Sequence, residues 1–185
     1  MDKVRKLIEE YIPLCEQEER DREQMLAFMG VKASWLTREN SMAHMTASAW
    51  VVDKDRSSVL MIYHNIYGSW SWTGGHADGE DELLSVALRE VEEETGVKAR
   101  AVSEEPISIE CLCVNSHIKK GRHVSSHIHM NVTYLLEADA SAAARIKPDE
   151  NSGVMWIPFD KVNAYVTEDV MRPIYAKLTE CAVNM

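Results

Sequence analysis

GGHADGEDELLSVALREVEEETGV, residues Gly74 to Val97, carries the pattern from which the rest of the chain is read. At roughly 100° per residue, a helix over about Glu82 to Thr95 places Leu84, Ala87, Leu88 and Val91 on one stripe, expected to face a core. Glu90, Glu93 and Glu94 form a second stripe at i, i+3 and i+4. Gly96 follows as a left-handed C-terminal cap. The second stripe breaks two local rules. Like charges at these spacings repel, and the C-terminal end of a helix disfavours anions. A bound divalent cation is the simplest compensation. Clustered carboxylates are hard oxygen donors suited to Mg²⁺ or Mn²⁺. Such an ion bridges phosphate oxygens and acidifies a bound water, and a spare carboxylate can take that water's proton. Gly74 and Gly75 read as a turn that lets backbone approach a ligand closely. The plainer reading of the same residues is a solvated acidic helix face after a glycine turn.

The spacing of the whole segment separates these readings, because it resembles the Nudix box, G-x5-E-x7-R-E-U-x-E-E-x-G-U with U apolar. Counting from Gly75, the matching residues are Gly75, Asp81, Arg89, Glu90, Val91, Glu93, Glu94, Gly96 and Val97. Asp81 stands where the family usually has glutamate, and Glu80 and Glu82 are its nearest substitutes. Thr73 replaces the proline common before the two glycines. The stretch Val154-Met155-Trp156-Ile157-Pro158 is similar to the apolar-Trp strand that follows the box in many members. The resemblance implies an α/β fold, the Nudix α/β/α sandwich with a mixed sheet. It also implies attack of water on the diphosphate of a nucleoside diphosphate linked to another group X. By position, Glu90, Glu93 and Glu94 become the metal and base carboxylates, and the Gly75 carbonyl a further metal ligand. Arg89 becomes a residue that orients a box carboxylate. Relatives differ in the general base, which here is Glu90 or a glutamate on a later loop, Glu150.

Working outward, Val4, Leu7, Ile8, Tyr11 and Ile12 recur at helical spacing until Pro13, and a second charged helix runs to about Met29. Residues 1–40 are therefore expected to be a helical extension on a Nudix domain at 41–185. The charge run from Glu16 to Glu23 reads as a solvated face. Strands are expected at about His44–Val52, Ser58–Tyr63, Ser69–Trp72, Ile107–Val114, Ser126–Glu137 and Gly153–Ile157, with a last helix over about Glu168–Cys181. Strands mixed with helices and no internal repeat imply one layered domain.

A chain of 185 residues with a formal net charge of −10 disfavours nucleic-acid polymers and anionic membranes as partners. It leaves open a small phosphorylated, nucleotide-like substrate, because a metal ion reverses the local field. The charge is uneven: eight acidic residues lie between Asp78 and Glu94, against one base, Arg89. Four cysteines without a C-x-x-C pair, and a start without an apolar signal core, point to a reduced, cytoplasmic protein. Cys111 and Cys113 are expected to be buried.

The loop holding Lys119, Lys120 and Arg122 is basic, and two readings stay open: a substrate-phosphate contact or a solvated hairpin. His127 and His129 share one strand face, as ligand contacts or as hydrogen-bonded sheet histidines; the carboxylates already account for a metal, which favours the second. Trp70 and Trp72 read as core, with base stacking as the alternative. Two other functions compete with hydrolysis. One is a non-catalytic Nudix domain that binds a nucleotide or a partner, against which the intact glutamate set stands. The other is an isopentenyl-diphosphate-type isomerase, for which the needed cysteine near position 74 is a glycine.

Overall fold

The structure, a computed structural model, describes residues 3–31, 34–119 and 121–185. Helices α1 (Lys3–Glu10) and α2 (Glu16–Val31) precede β1 (Ala43–Val52), β2 (Ser58–His64), β3 (Ser69–Ser71) and β4 (Thr73–His76). Helix α3 (Leu83–Thr95) leads to β5 (Ala99–Ala101), β6 (Ser108–Val114), β7 (His117–Lys119), β8 (Arg122–Val124), β9 (His127–Ala138) and β10 (Asn151–Pro158). A short α4 (Val162–Tyr165) and α5 (Arg172–Asn184) follow. The main sheet runs β10-β2-β1-β9-β5, with β3 on β2, β4 on β1 and β6 on β9. β1 and β9 are parallel over ten residue pairs, and the other ladders are antiparallel. This is the mixed, curled sheet between helices that the box implied.

The two faces of β1 explain the layering. Met45, Ala47, Ala49 and Val51 join Val4, Ile8, Met25, Met29, Val86, Ala87 and Val91 in one core, so the N-terminal helices and α3 cover that side. Trp50 and Val52 join Tyr175, Leu178 and Ala182 of α5 in the other. On this second face the neighbours of Trp50 turn polar: His44, Thr46 and Ser48 face outward from the core at the same strand period. β9 does the same, running from Leu135 through Thr133 and Asn131 to His129, each paired with its counterpart on β1. One half of the face is packed under α5, and the other half is a polar floor.

Several expectations need correction. Gly74 and Gly75 lie within β4, paired to Ser48 and Ala47, rather than in a turn. The buried stripe of α3 is Leu83, Val86, Ala87 and Val91, with Leu84 and Leu88 half-buried, because Glu94 takes a share of the inward side. The run Glu16–Glu23 is not uniformly solvated. Glu18 is fully buried and accepts hydrogen bonds from Tyr11, the Leu14 amide, Ser108 and Lys177. Cys111 is half-buried and Cys113 exposed; α2 covers only the first, accepting its amide on Asp21 at 3.0 Å. The last helix begins at Arg172, not Glu168. Pro173 occupies its first turn, where a missing N–H costs nothing, and the Arg172 guanidinium holds the Val166 carbonyl below it. No helix among the described residues is long and apolar enough to cross a membrane.

Candidate active site

Helix α3 ends against β4, and the contact is set by what the two glycines lack. A side chain on Gly75 would meet the Glu90 carboxyl carbon at 2.3 Å, so the Glu90 carboxylate fills the space a Cβ would need. A side chain on Gly74 would meet Ser48 Oγ at 2.5 Å and the Ala47 carbonyl at 2.7 Å, which is the cost of pairing closely with β1. The Gly74 N–H donates to Glu94 Oε2 at 3.0 Å. Asn151 of β10 donates to the Glu94 carbonyl at 2.9 Å, and the Arg145 N–H donates to the Thr95 carbonyl at 2.8 Å. Gly96, at φ 71°, closes the helix by donating to the Glu92 carbonyl. The end of the helix is thus fixed from three sides.

Glu90, Glu93 and Glu94 line one cleft, and they differ in exposure. Glu94 is 3% exposed, Glu90 is half-buried, and the Glu93 side chain is about half open. Burial pushes the Glu94 carboxyl well above the ordinary carboxylate range; the Gly74 amide opposes this and Glu90 adds to it. Burial and then the Glu93 charge raise Glu90. Two cations answer this charge. Lys147 lies 2.8 Å from Glu150 and 3.3 Å from Glu93. Burial works against its charge, but the two glutamates outweigh that and raise its pKa. Arg89 pairs with Glu80 and lies 3.9 and 3.8 Å from Glu90 and Glu93. The box aspartate does not hold it: Asp81 is exposed, and Glu82 pairs with Lys3. The one-residue neighbour Glu80 is the residue that reaches Arg89.

A divalent cation fits this group on the structure's own terms. Glu90 fills the side-chain space of Gly75, Glu94 accepts from the Gly74 amide, and Glu93 lines the same cleft, so three carboxylates border one glycine backbone, and burial works against the charge of two of them. Glu90, Glu93 and Glu94 all line the cleft and offer hard oxygen donors of the kind that Mg²⁺ or Mn²⁺ takes.

The cleft encloses about 1420 Å³ and extends from the carboxylates over the polar sheet floor. That exceeds the roughly 300–1,000 Å³ of typical small-ligand sites. Glu150, Lys119, His127 and His129 line it; Arg122 is exposed on β8 outside it, and Lys120 lies outside the described residues. β7 and β8 pair as a hairpin at its rim. The floor holds residues that sequence reasoning passed over. Asn131 accepts from Thr46 and Ser48 at 2.9 Å and donates to Glu110 at 3.1 Å. Glu110, buried and raised by that burial against the pull of Lys177, joins the floor to Glu18 through Ser108 and Lys177. His44 and His76 stand beside His127 and His129. Nothing local signals this, since it depends on which strands pair. Trp72 is buried as expected, whereas Trp70 is only partly covered, edge-on to Tyr63 and Tyr165.

Comparisons with known proteins bear on this geometry. A NUDIX domain profile matches residues 42–178. Over 108 residues, 55% of this chain, the sequence is 32% identical to the m7GpppN-mRNA hydrolase NUDT17 of Xenopus laevis; the match spans 34% of that protein, so the chain covers about a third of that relative's length. The fold is similar to a C. elegans Ap4A hydrolase solved as a binary complex, with TM-score 0.55 and 16% identity over 76% of this chain and 98% of that one. It is also similar to a Nudix-family hydrolase from Clostridium perfringens, with TM-score 0.57 and 17% identity over 76% and 97%.

Proposed function

The chain belongs to the Nudix hydrolase family, and from that premise we propose that it is a metal-dependent pyrophosphohydrolase acting on a nucleoside diphosphate linked to a further group. The observation that carries the proposal is the seating of Glu90 against Gly75 and of Glu94 on the Gly74 amide, with Glu93 lining the same cleft. We read residues 41–185 as the catalytic domain and 1–40 as an extension packed on it.

The cation is Mg²⁺ or Mn²⁺, held by Glu90, Glu93, Glu94 and the Gly75 carbonyl; when bound it neutralises phosphate charge and makes water a better nucleophile. The protein's own residues do the rest. Gly74 N–H orients the Glu94 carboxylate, and Arg89 restrains Glu90 and Glu93 from the solvent side. Glu90 and Glu150 are the two candidate bases. A carboxylate whose pKa is raised by burial, as that of Glu90 is, accepts a proton more readily. Water oxygen joins one phosphorus, the bridging P–O bond breaks, and the two halves leave as phosphates. Lys119 lines the cleft, which supports a role for it in meeting phosphate charge.

A screen of nucleoside diphosphate derivatives with Mg²⁺ and Mn²⁺, including a cap dinucleotide and a dinucleoside tetraphosphate, tests the proposal. Both products are identified, and ¹⁸O-water shows which phosphorus was attacked. Hydrolysis that stops with a chelator supports it. Undiminished hydrolysis in metal-free buffer, or tight nucleotide binding with no turnover on any member of the set, overturns it. The second outcome would leave the binding-domain reading.

A further inference from the structure

His44, His127 and His129 each bring one ring nitrogen within 4.8 Å of those of the other two. They come from β1 and from the start of β9, on the cleft side of the sheet. We propose that these three imidazoles form a second metal site, separate from the carboxylates, for a divalent transition ion of the Zn²⁺ class with an open position toward the cleft.

The hydrogen bonds set which nitrogens are free. His44 Nδ1 lies 2.9 Å from the Asn40 carbonyl, and His127 Nδ1 lies 2.8 Å from the Ser125 carbonyl. A carbonyl only accepts, so both Nδ1 atoms carry the proton and both Nε2 atoms keep a lone pair. A backbone carbonyl behind one ring nitrogen, fixing the tautomer of the other, is how proteins orient histidine ligands. Among the described residues His44 Nε2 has no hydrogen-bond partner, although His44 is only 3% exposed. His127 Nε2 and His129 Nε2 are 3.1 Å apart. A tetrahedral zinc centre with Zn–N of about 2.0–2.1 Å sets its donors about 3.3 Å apart, so this pair is already at ligand spacing. The three ring centroids are 5.0, 5.1 and 5.0 Å from one another, a compact triangle that small ring rotations can close on an ion.

With His127 Nε2 as acceptor, His129 Nε2–H donates across the 3.1 Å contact, so a bound ion would take the place of that one proton. Imidazole prefers Zn²⁺ and its neighbours over Mg²⁺, whereas the carboxylate group has the opposite taste. The two sites therefore sort their ions by donor chemistry. His76, 5.0 and 4.9 Å from the His44 and His129 rings, stands next to the triad and walls the site toward β4.

The experiment uses tag-free full-length chain, stripped with a chelator and titrated with Zn²⁺ against a chromophoric competitor in millimolar Mg²⁺. About one Zn²⁺ per chain is expected. His127→Gln and His129→Gln should each weaken binding by more than about tenfold, and Glu93→Gln should leave it unchanged. Co²⁺ in place of Zn²⁺ should show intense visible bands of a nitrogen-ligated, low-coordinate ion. Absence of binding overturns the proposal, as does Zn²⁺ lost with Glu93→Gln and kept in the histidine variants. Should those variants fail to fold, ¹⁵N spectra of the wild-type imidazoles decide. Zn²⁺ must shift the Nε2 signals of His44, His127 and His129 together, and unmoved signals overturn the site. No substrate enters these measurements, so their failure leaves the hydrolase proposal untouched.

Discussion

The cleft has two ends built on opposite plans. At one end three carboxylates arrive from a single helical turn and a half, at i, i+3 and i+4. Their charge is met by Lys147, Arg89 and one backbone amide. At the other end imidazoles arrive from two strands, with His44 and His129 directly opposite in the β1–β9 ladder. The first end is a charge problem that the helix alone creates. The second is a burial problem that only the sheet creates. One polypeptide thus offers hard anionic oxygen and softer neutral nitrogen side by side, and each should answer a different perturbation.

The largest expected effect is on the acidic end. Glu94→Gln keeps the Gly74 hydrogen bond through its amide oxygen and removes one buried charge. Activity should fall about 100-fold or more, equivalent to at least roughly 2.7 kcal/mol of barrier. The metal-free protein should be as stable as the wild type or more so, by about 0.3–1 kcal/mol. Mg²⁺ should raise the Tm of the wild type more than that of the variant. Melts with and without Mg²⁺, run beside a turnover assay, check this. Wild-type turnover in Glu94→Gln would remove the carboxylate end from the comparison.

Gly75→Ala comes next. The added methyl overlaps the Glu90 carboxylate, so overpacking should cost about 1–3 kcal/mol and displace Glu90. Denaturant titration measures the loss. A stable variant with full activity would show that the Glu90 position is not the functional one.

A third test uses acid. His64, at the cleft edge, stacks on Tyr67 and accepts the Ile66 and Tyr67 amides on Nδ1. Burial brings its pKa from 6.5 down to about 4. A depressed histidine pKa means the unfolded chain binds the proton first. Its stabilising contribution is complete above pH 6.5 and is lost as pH falls toward 4. After discounting for partial exposure, the loss should be on the order of 1–2 kcal/mol. Stability measured against pH should show a shallower acid slope in His64→Gln. An identical slope would assign the acid sensitivity elsewhere.

The smallest effect sharpens the role of Lys147. Lys147→Met removes the ammonium between Glu93 and Glu150, and should destabilise the metal-free protein by about 0.5–1 kcal/mol. The same change should tighten Mg²⁺ binding, since a competing cation is gone. Calorimetric titration distinguishes this from weaker binding, which would make Lys147 part of the metal's own support.

The helix, its cap at Gly96, the ordering of the principal strands and the family were legible because each is encoded locally: period, spacing and a terminating glycine lie within one short segment. The carboxylate cluster was legible for the same reason, since helical geometry alone brings i, i+3 and i+4 together. What tertiary structure decided is everything that joins distant segments. Glu18 looked like surface charge on an acidic helix and became a buried acceptor only when α2 met Lys177 and Ser108. Gly74 and Gly75 looked like a turn and became a strand because β1 pairs with them. His127 and His129 could be placed on one face from alternation. That His44 stands opposite them follows only from the parallel register of β1 and β9, which no local pattern encodes.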